Sequence, residues 1–153
     1  MKADGLWRDE RGVNLVDGGR PYYGTYACAD DKHVAVGPLE NRFYIEFLLR
    51  LGLEDIPAQS QDDATLWPET SRRIAERLAT RSRDEWCRVF EGSDCCFAPV
   101  LSMSEAPHHP HNAARNTFLH EWVLQPAPAP RFSGVDTRAV SYTHLTLPTI
   151  LRV

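Results

Sequence analysis

The sequence predicts an α+β chain, a short antiparallel sheet with packed helices, and three observations point there. Two strand-like runs, Tyr22 to Tyr26 and His33 to Val36, flank the polar turn Asp30-Asp31-Lys32 and predict a hairpin. Three later runs, beginning near Glu40, near Pro68 and after Ser82, repeat apolar residues at helical spacing. A final short apolar run, Cys95 to Leu101, suits a strand with Pro99 at an edge or bend.

Met1 to Val16 carries scattered glycines, Trp7 and alternating charge without a periodic apolar face, and so reads as a connector. Asp17-Gly18-Gly19 and Arg20-Pro21 are turn residues that lead into the first strand. Gly37-Pro38 ends the second strand, since proline cannot donate to a ladder. Leu39-Glu40 then opens a helix with Phe43, Phe47, Leu48 and Leu51 on one side and a stop at Gly52. Glu40 is expected in its first turn, where the helix dipole favours a carboxylate, and local physics alone asks nothing more of it.

Glu54 to Thr65 reads as a polar loop containing Pro57. The second helix runs from about Pro68 to Thr80, with Ile74 and Leu78 inward and its charges on a solvated face. Ser82 and Glu85 fit a capping box for a third helix that buries Trp86, Val89 and Phe90 and ends at Gly92. Beyond the Cys95 strand, Ser102 to Ala106 forms a turn, and His108 to Arg115 a loop or short helix. Thr117 to Leu124 is strand-like again, and Gln125 to Pro130 is an extended connector.

The length of 153 residues with 42% hydrophobic composition allows one domain with a modest core. A net charge of -4 and pI near 5.8 leave no electrostatic footprint for a nucleic-acid partner. No apolar run approaches the roughly 20 residues needed to cross a bilayer, and the opening residues resemble no signal peptide. No membrane partner is therefore expected, and the expected compartment is cytoplasmic. Cys28, Cys87, Cys95 and Cys96 read as free thiols. His108, His109 and His111 cluster in sequence near Cys95 and Cys96, yet their spacing matches no familiar zinc pattern, so no metal site is expected.

Ordered residues along most of the chain carry a resemblance. Asp17-Gly18-Gly19, Tyr26, Ala29-Asp30, Val34-Ala35-Val36-Gly37, Leu39-Glu40, Phe43-Tyr44, Glu85-Trp86-Cys87, Phe90-Glu91-Gly92, Pro99-Val100-Leu101 and His108 to Asn112 resemble the C-terminal part of the alpha-methylacyl-CoA racemases. These enzymes form a branch of the family III CoA-transferases (CaiB/BaiF family). The likeness runs from about Gly5 to Ser133. It implies the small α+β domain of a fold in which two chains interlock as rings, each active site lying between one chain's large domain and the other's small domain.

Under that resemblance residues 1–15 are a connector from a missing large domain, 16–124 the small domain and 125–139 a Pro-rich return linker. The implied reaction is epimerisation of 2-methylacyl-CoA thioesters by proton transfer at C2, with acyl-CoA as substrate and no other cofactor. A histidine and an aspartate of the large domain would move the proton. Glu40 matches the glutamate that hydrogen-bonds that histidine. Tyr23 and Leu39 match positions facing the acyl-CoA, with ordinary core packing as their alternative. The expected macromolecular partner is the large domain of a second chain in an interlocked homodimer, and this chain alone is expected to be inactive.

Arg20 departs from the alanine usual in that turn, and Asn41 from the proline usual after the glutamate; losing that proline weakens pre-organisation of the first helical turn. From Val140 to Val153 the chain leaves the family pattern and resembles translated transposon-end sequencing adapter, so this tail is given no functional role. Two other readings stand beside the racemase: a family III CoA-transferase, working through an aspartate-bound acyl intermediate, and a non-enzymatic α+β interaction domain. Glu40 favours the racemase, because the transferases lean on a glycine-rich loop not found here.

Overall fold

A computed structural model describes residues 3–5, 7–120 and 123–135. The described residues fall into two compact units that divide between Val100 and Leu101. The whole is α+β, with short antiparallel sheets and four α-helices among the described residues.

In the first unit three strands, β1 (Gly24–Ala27), β2 (His33–Val36) and β3 (Phe97–Val100), form an antiparallel sheet with β2 in the centre. Gly24 pairs with Val36 and Ala27 with His33, while Val36 also faces Phe97 across the β2–β3 ladder. Alternation along β2 buries Val34 and Val36 and leaves His33 exposed. The first strand starts two residues later than the composition suggests. Tyr23 turns its N–H back onto the Arg20 carbonyl at 3.0 Å, and Tyr22 enters the core, its ring edge-on to Tyr44. Pro99 is tolerated in β3 because that strand is an edge of this sheet.

Three helices cover the sheet: α1 (Asn41–Leu51), α2 (Trp67–Leu78) and α3 (Arg83–Phe90). Helix α1 buries Tyr44, Phe47, Leu48 and Leu51, the i, i+3, i+4, i+7 stripe of an amphipathic helix, and stops at Gly52, whose φ of 72° suits glycine. Helix α2 carries Pro68 in its first turn and buries Thr70, Ile74 and Leu78. The Ser82–Glu85 capping box opens α3 with both reciprocal bonds in place. The Arg83 N–H donates to the Asp30 carboxylate at 3.1 Å, which ties the start of α3 to the hairpin turn.

Residues 54–65 hold more order than a polar loop. Ala58–Gln61 is a 3-10 turn whose Ser60 and Gln61 are buried, polar side chains that enter the interior because they are hydrogen-bonded there. The interior otherwise centres on aromatics. Phe90 stacks on Phe97 with centroids 4.0 Å apart and planes 8° from parallel, and Phe47 and Trp86 close around Phe90. Trp86 is fully buried and donates its indole N–H to the Leu78 carbonyl at 2.8 Å, which joins α3 to the end of α2.

The second unit contains a 3-10 turn (Ala106–His108), α4 (Pro110–Ala114) and an antiparallel pair, β4 (Phe118–His120) with β5 (Leu124–Pro126). The strand-like run Thr117 to Leu124 is thus two short strands, and Glu121 and Trp122 between them lie outside the described residues. β5 includes Gln125 and Pro126, at the head of the stretch expected to be an extended connector. The end of the 125–139 linker and the whole adapter-like run from Val140 to Val153 lie outside the described residues. All four cysteines are unpaired. Among the described residues no helix is long and apolar enough to cross a membrane.

The aromatic centre sets a stability prediction. Trp86→Ala should cost about 3–5 kcal/mol in urea unfolding, because it empties a buried site and leaves the Leu78 carbonyl without its donor. Leu49→Ala, at a site 56% exposed on the other face of α1, should stay within about 0.5 kcal/mol of the parent chain. Equal losses for the two variants would remove the aromatic cluster from its central role.

Candidate functional site

The hairpin register builds the site. Pairing Gly24 with Val36 sets the start of β1 beside the end of β2, so residues far apart in one stretch, from Val16 through the hairpin to Phe47 of α1, meet. Tyr23, half-buried, lays its ring against Gly37: a Cβ built on that glycine would sit 3.5 Å from the Tyr23 ring. Three residues beyond Gly37 comes Glu40.

Glu40 stands one step outside the helix it was expected to join. Its φ of -76° and ψ of 136° are extended, and α1 begins at Asn41, so Glu40 is the N-cap residue. Its carbonyl accepts the first helical bonds, from the N–H groups of Phe43 at 2.9 Å and Tyr44 at 3.0 Å. The chain reaches Glu40 through a tight turn, in which the Leu39 N–H bonds back to the Gly37 carbonyl at 2.8 Å. The Glu40 side chain is exposed and makes no capping hydrogen bond. Leu39 is half-buried and packs against the core.

The other end of the stretch forms an open cleft of about 590 Å³, whose walls include Arg11, Arg20, Tyr23, Thr25, Tyr26 and Ser71. Tyr23 lines this cleft, whereas Leu39 and Glu40 do not. The turn at its rim is built on Asp17. Its Oδ2 accepts the N–H groups of Gly12, Val13 and Asn14 at 3.0–3.1 Å and the Asn14 amide at 2.9 Å. Desolvation pushes the Asp17 carboxyl upward, but these hydrogen bonds outweigh it and lower its pKa from 3.8 to about 2. Gly19 must be glycine here, since a Cβ would overlap the Gly12 carbonyl. Behind the cleft, burial raises the Tyr26 hydroxyl to about 12 against the lowering effect of its bond with Ser71, and it donates to the Pro21 carbonyl at 2.6 Å.

Gln61 is the residue that sequence reasoning missed. Buried at the end of the 3-10 turn, it donates to the Pro38 and Leu39 carbonyls and accepts from Asn41. No periodicity or motif marks it in the polar run Ala58 to Thr65; its only signal is Pro57 four residues earlier, a start residue for a turn. Arg20 completes the surround, its guanidinium 4.6 Å over the Trp67 ring and bonded to the Tyr22 hydroxyl at 2.7 Å.

The arrangement offers one exposed carboxylate on a fixed backbone, three residues beyond the glycine that the cleft-lining Tyr23 packs against. It can accept a hydrogen bond from an outside donor. No histidine is bonded to it among the described residues: His33 opens β2 and is exposed, while His108, His109, His111 and His120 belong to the second unit. Among the described residues no group of three His, Cys, Asp or Glu side chains is placed to hold a metal ion.

Residues 6–141 match CoA-transferase family III. Alpha-methylacyl-CoA racemase of Mus musculus is 43% identical over 126 residues, and that of Homo sapiens 42% identical over 130; each match covers 82% of this chain and 33% of the relative. A CaiB/baiF CoA-transferase family protein of Caenorhabditis elegans, ZK892.4, is 31% identical over 117 residues. The chain therefore spans about a third of the length of the curated relatives it matches. In fold it is similar to the crystal structure of the hypothetical protein Rv3272 from Mycobacterium tuberculosis, with a TM-score of 0.61 and 14% identity over 76% of this chain and 34% of that one.

The Asp17 turn carries a pH prediction. A carboxyl lowered to about 2 stabilises the native turn fully above about pH 4, and that contribution fades as pH falls from 3.8 towards 2. Amide exchange at Gly12, Val13 and Asn14 should accelerate over that interval, after correction for intrinsic rates. Asp17→Ala should show the fast exchange already at pH 7; protection that survives in this variant would show that the carboxylate does not hold the turn.

Proposed function

The chain belongs to CoA-transferase family III, and we propose that it works there as the small-domain, C-terminal part of an alpha-methylacyl-CoA racemase. The reaction is epimerisation of a 2-methylacyl-CoA thioester: a proton leaves C2, the thioester holds the carbanion as an enolate, and a proton returns to the opposite face. The groups that move the proton, a histidine and an aspartate, come from the large domain of a second chain in an interlocked homodimer. No cofactor is needed beyond the acyl-CoA substrate itself.

Glu40 supplies the hydrogen-bond acceptor for that histidine. A carboxylate on one imidazole nitrogen selects the tautomer and aims the other nitrogen at C2. The observation that carries this reading is the placement of Glu40: exposed, its carboxylate making no capping bond, and set on an extended N-cap backbone three residues beyond Gly37, against which the Tyr23 ring lies. In this reading Tyr23, which lines the cleft, faces the acyl-CoA, and so does Leu39, the half-buried residue before Glu40. The 42–43% identity to racemases supports the same branch. The relative named as a CaiB/baiF CoA-transferase family protein supports a second reading, CoA transfer between carboxylic acids, at lower identity.

Two measurements test the proposal. The purified chain should catalyse no deuterium exchange at C2 of a 2-methylacyl-CoA in D2O, because it lacks the proton-moving pair; clear exchange would overturn that. Joined behind the large domain of the mouse racemase, the intact chain should support exchange, and Glu40→Gln should lower kcat by about 10²-fold, the order expected for a group orienting a catalytic imidazole. An unchanged kcat in Glu40→Gln would remove Glu40 from the mechanism.

A further inference from the structure

The Gln61 side chain is buried, the residue 4% exposed, and directs its hydrogen bonds to one short run of the chain. Its Nε2 donates to the Leu39 carbonyl at 2.8 Å and to the Pro38 carbonyl at 3.2 Å, and its Oε1 accepts from Asn41 Nδ2 at 3.0 Å. These bonds grip residues 38, 39 and 41, so the one residue of the run they do not touch is Glu40. Reversing the amide would set its oxygen against two carbonyl oxygens, so only one orientation satisfies the site. Gln61 is itself held: Trp67 donates its indole N–H to the Gln61 carbonyl at 3.1 Å, and Asn41 Nδ2 also reaches the Ala58 carbonyl at 3.3 Å.

The grip matters because the other hold on Glu40 among the described residues is on its carbonyl, which accepts from Phe43 and Tyr44 and leaves the carboxylate unbonded. Its side chain makes no capping bond, so the domain controls the carboxylate only through its backbone. We propose that Gln61 is a positioning residue, a buried amide clamp that holds Glu40 extended at the mouth of α1 and thereby aims its carboxylate outward. This rests on the reading of Glu40 as the acceptor for a large-domain histidine. Asn41 is the clamp's second jaw. It occupies the first helical position, where a proline would impose the same conformation covalently: proline there fixes φ near -65° and forces the preceding residue extended, the state Glu40 already holds at φ -76° and ψ 136°.

That equivalence supplies the test, run on the intact chain joined to the mouse racemase large domain and on the chain alone. Gln61→Met keeps length and removes the hydrogen bonds. It should lower kcat for C2 exchange about 10-fold or more with KM within about twofold, in the range of an outer-shell loss at a catalytic group. Adding Asn41→Pro to Gln61→Met should restore most of kcat, because the clamp is replaced by a covalent restraint. In the isolated chain, exchange of the Phe43 and Tyr44 amides, which bond the Glu40 carbonyl, should quicken in Gln61→Met and slow again in the double variant, while the Trp86 indole N–H stays protected. Unchanged kcat in Gln61→Met, with Glu40→Gln still damaging, would overturn the clamp and leave the role of Glu40 standing. A loss that Asn41→Pro does not rescue would also overturn it, marking Gln61 as a general structural residue. If Glu40→Gln is harmless, both readings fall; and should the joined protein show no exchange at all, unaltered Phe43 and Tyr44 amides in Gln61→Met would overturn the clamp on their own.

Discussion

The stack of Phe90 on Phe97 is the contact on which the first unit depends, since it joins the last turn of α3 to the edge strand β3 at 4.0 Å. Phe47 of α1 and Trp86 of α3 close on the same ring. Three helices and a sheet of four-residue strands could not each bury enough apolar surface alone; a shared aromatic centre lets them do so together. Because Phe97 pairs with Val36, the stack also fixes where β2 ends, and with it the point from which Gly37 to Glu40 departs.

From that fixed point the site is built with backbone rather than side chains. Glu40 is held by the bonds its carbonyl accepts and by the amide that grips its neighbours, while its exposed carboxylate makes no capping bond. Asp17 shows the opposite arrangement. Its carboxylate is consumed by N–H donors of its own turn, which depresses its pKa and makes it a structural anion. Two acidic residues of one stretch therefore differ in what their oxygens touch, and that difference separates a residue open to chemistry from one that shapes a cleft.

Much of the local architecture was legible in the residues. The Ser82–Glu85 capping box, the Gly52 stop, Pro68 in the first turn of α2 and the hairpin around Asp30 to Lys32 are short-range devices, each decided by a few neighbouring atoms. The ordered resemblance singled out Glu40 before its geometry was known. Its exact station was not legible: the difference between first turn and N-cap depends on the Leu39 turn and on a side chain some twenty positions later in the chain.

The sequence by itself determined the first hairpin, the three long helices with most of their inward residues, and the family, because periodicity, caps and spaced identities are properties of the chain read along its length. The α1 stripe was misplaced at one point, where Tyr44 rather than Phe43 is buried. Only the tertiary structure decided that Tyr23 lies against Gly37, that Asp17 serves its own turn, and that Gln61 enters the interior to hold the backbone around Glu40. The physical reason is that a buried polar group is acceptable only where its partners converge, and convergence across about twenty residues has no period and no local motif to announce it.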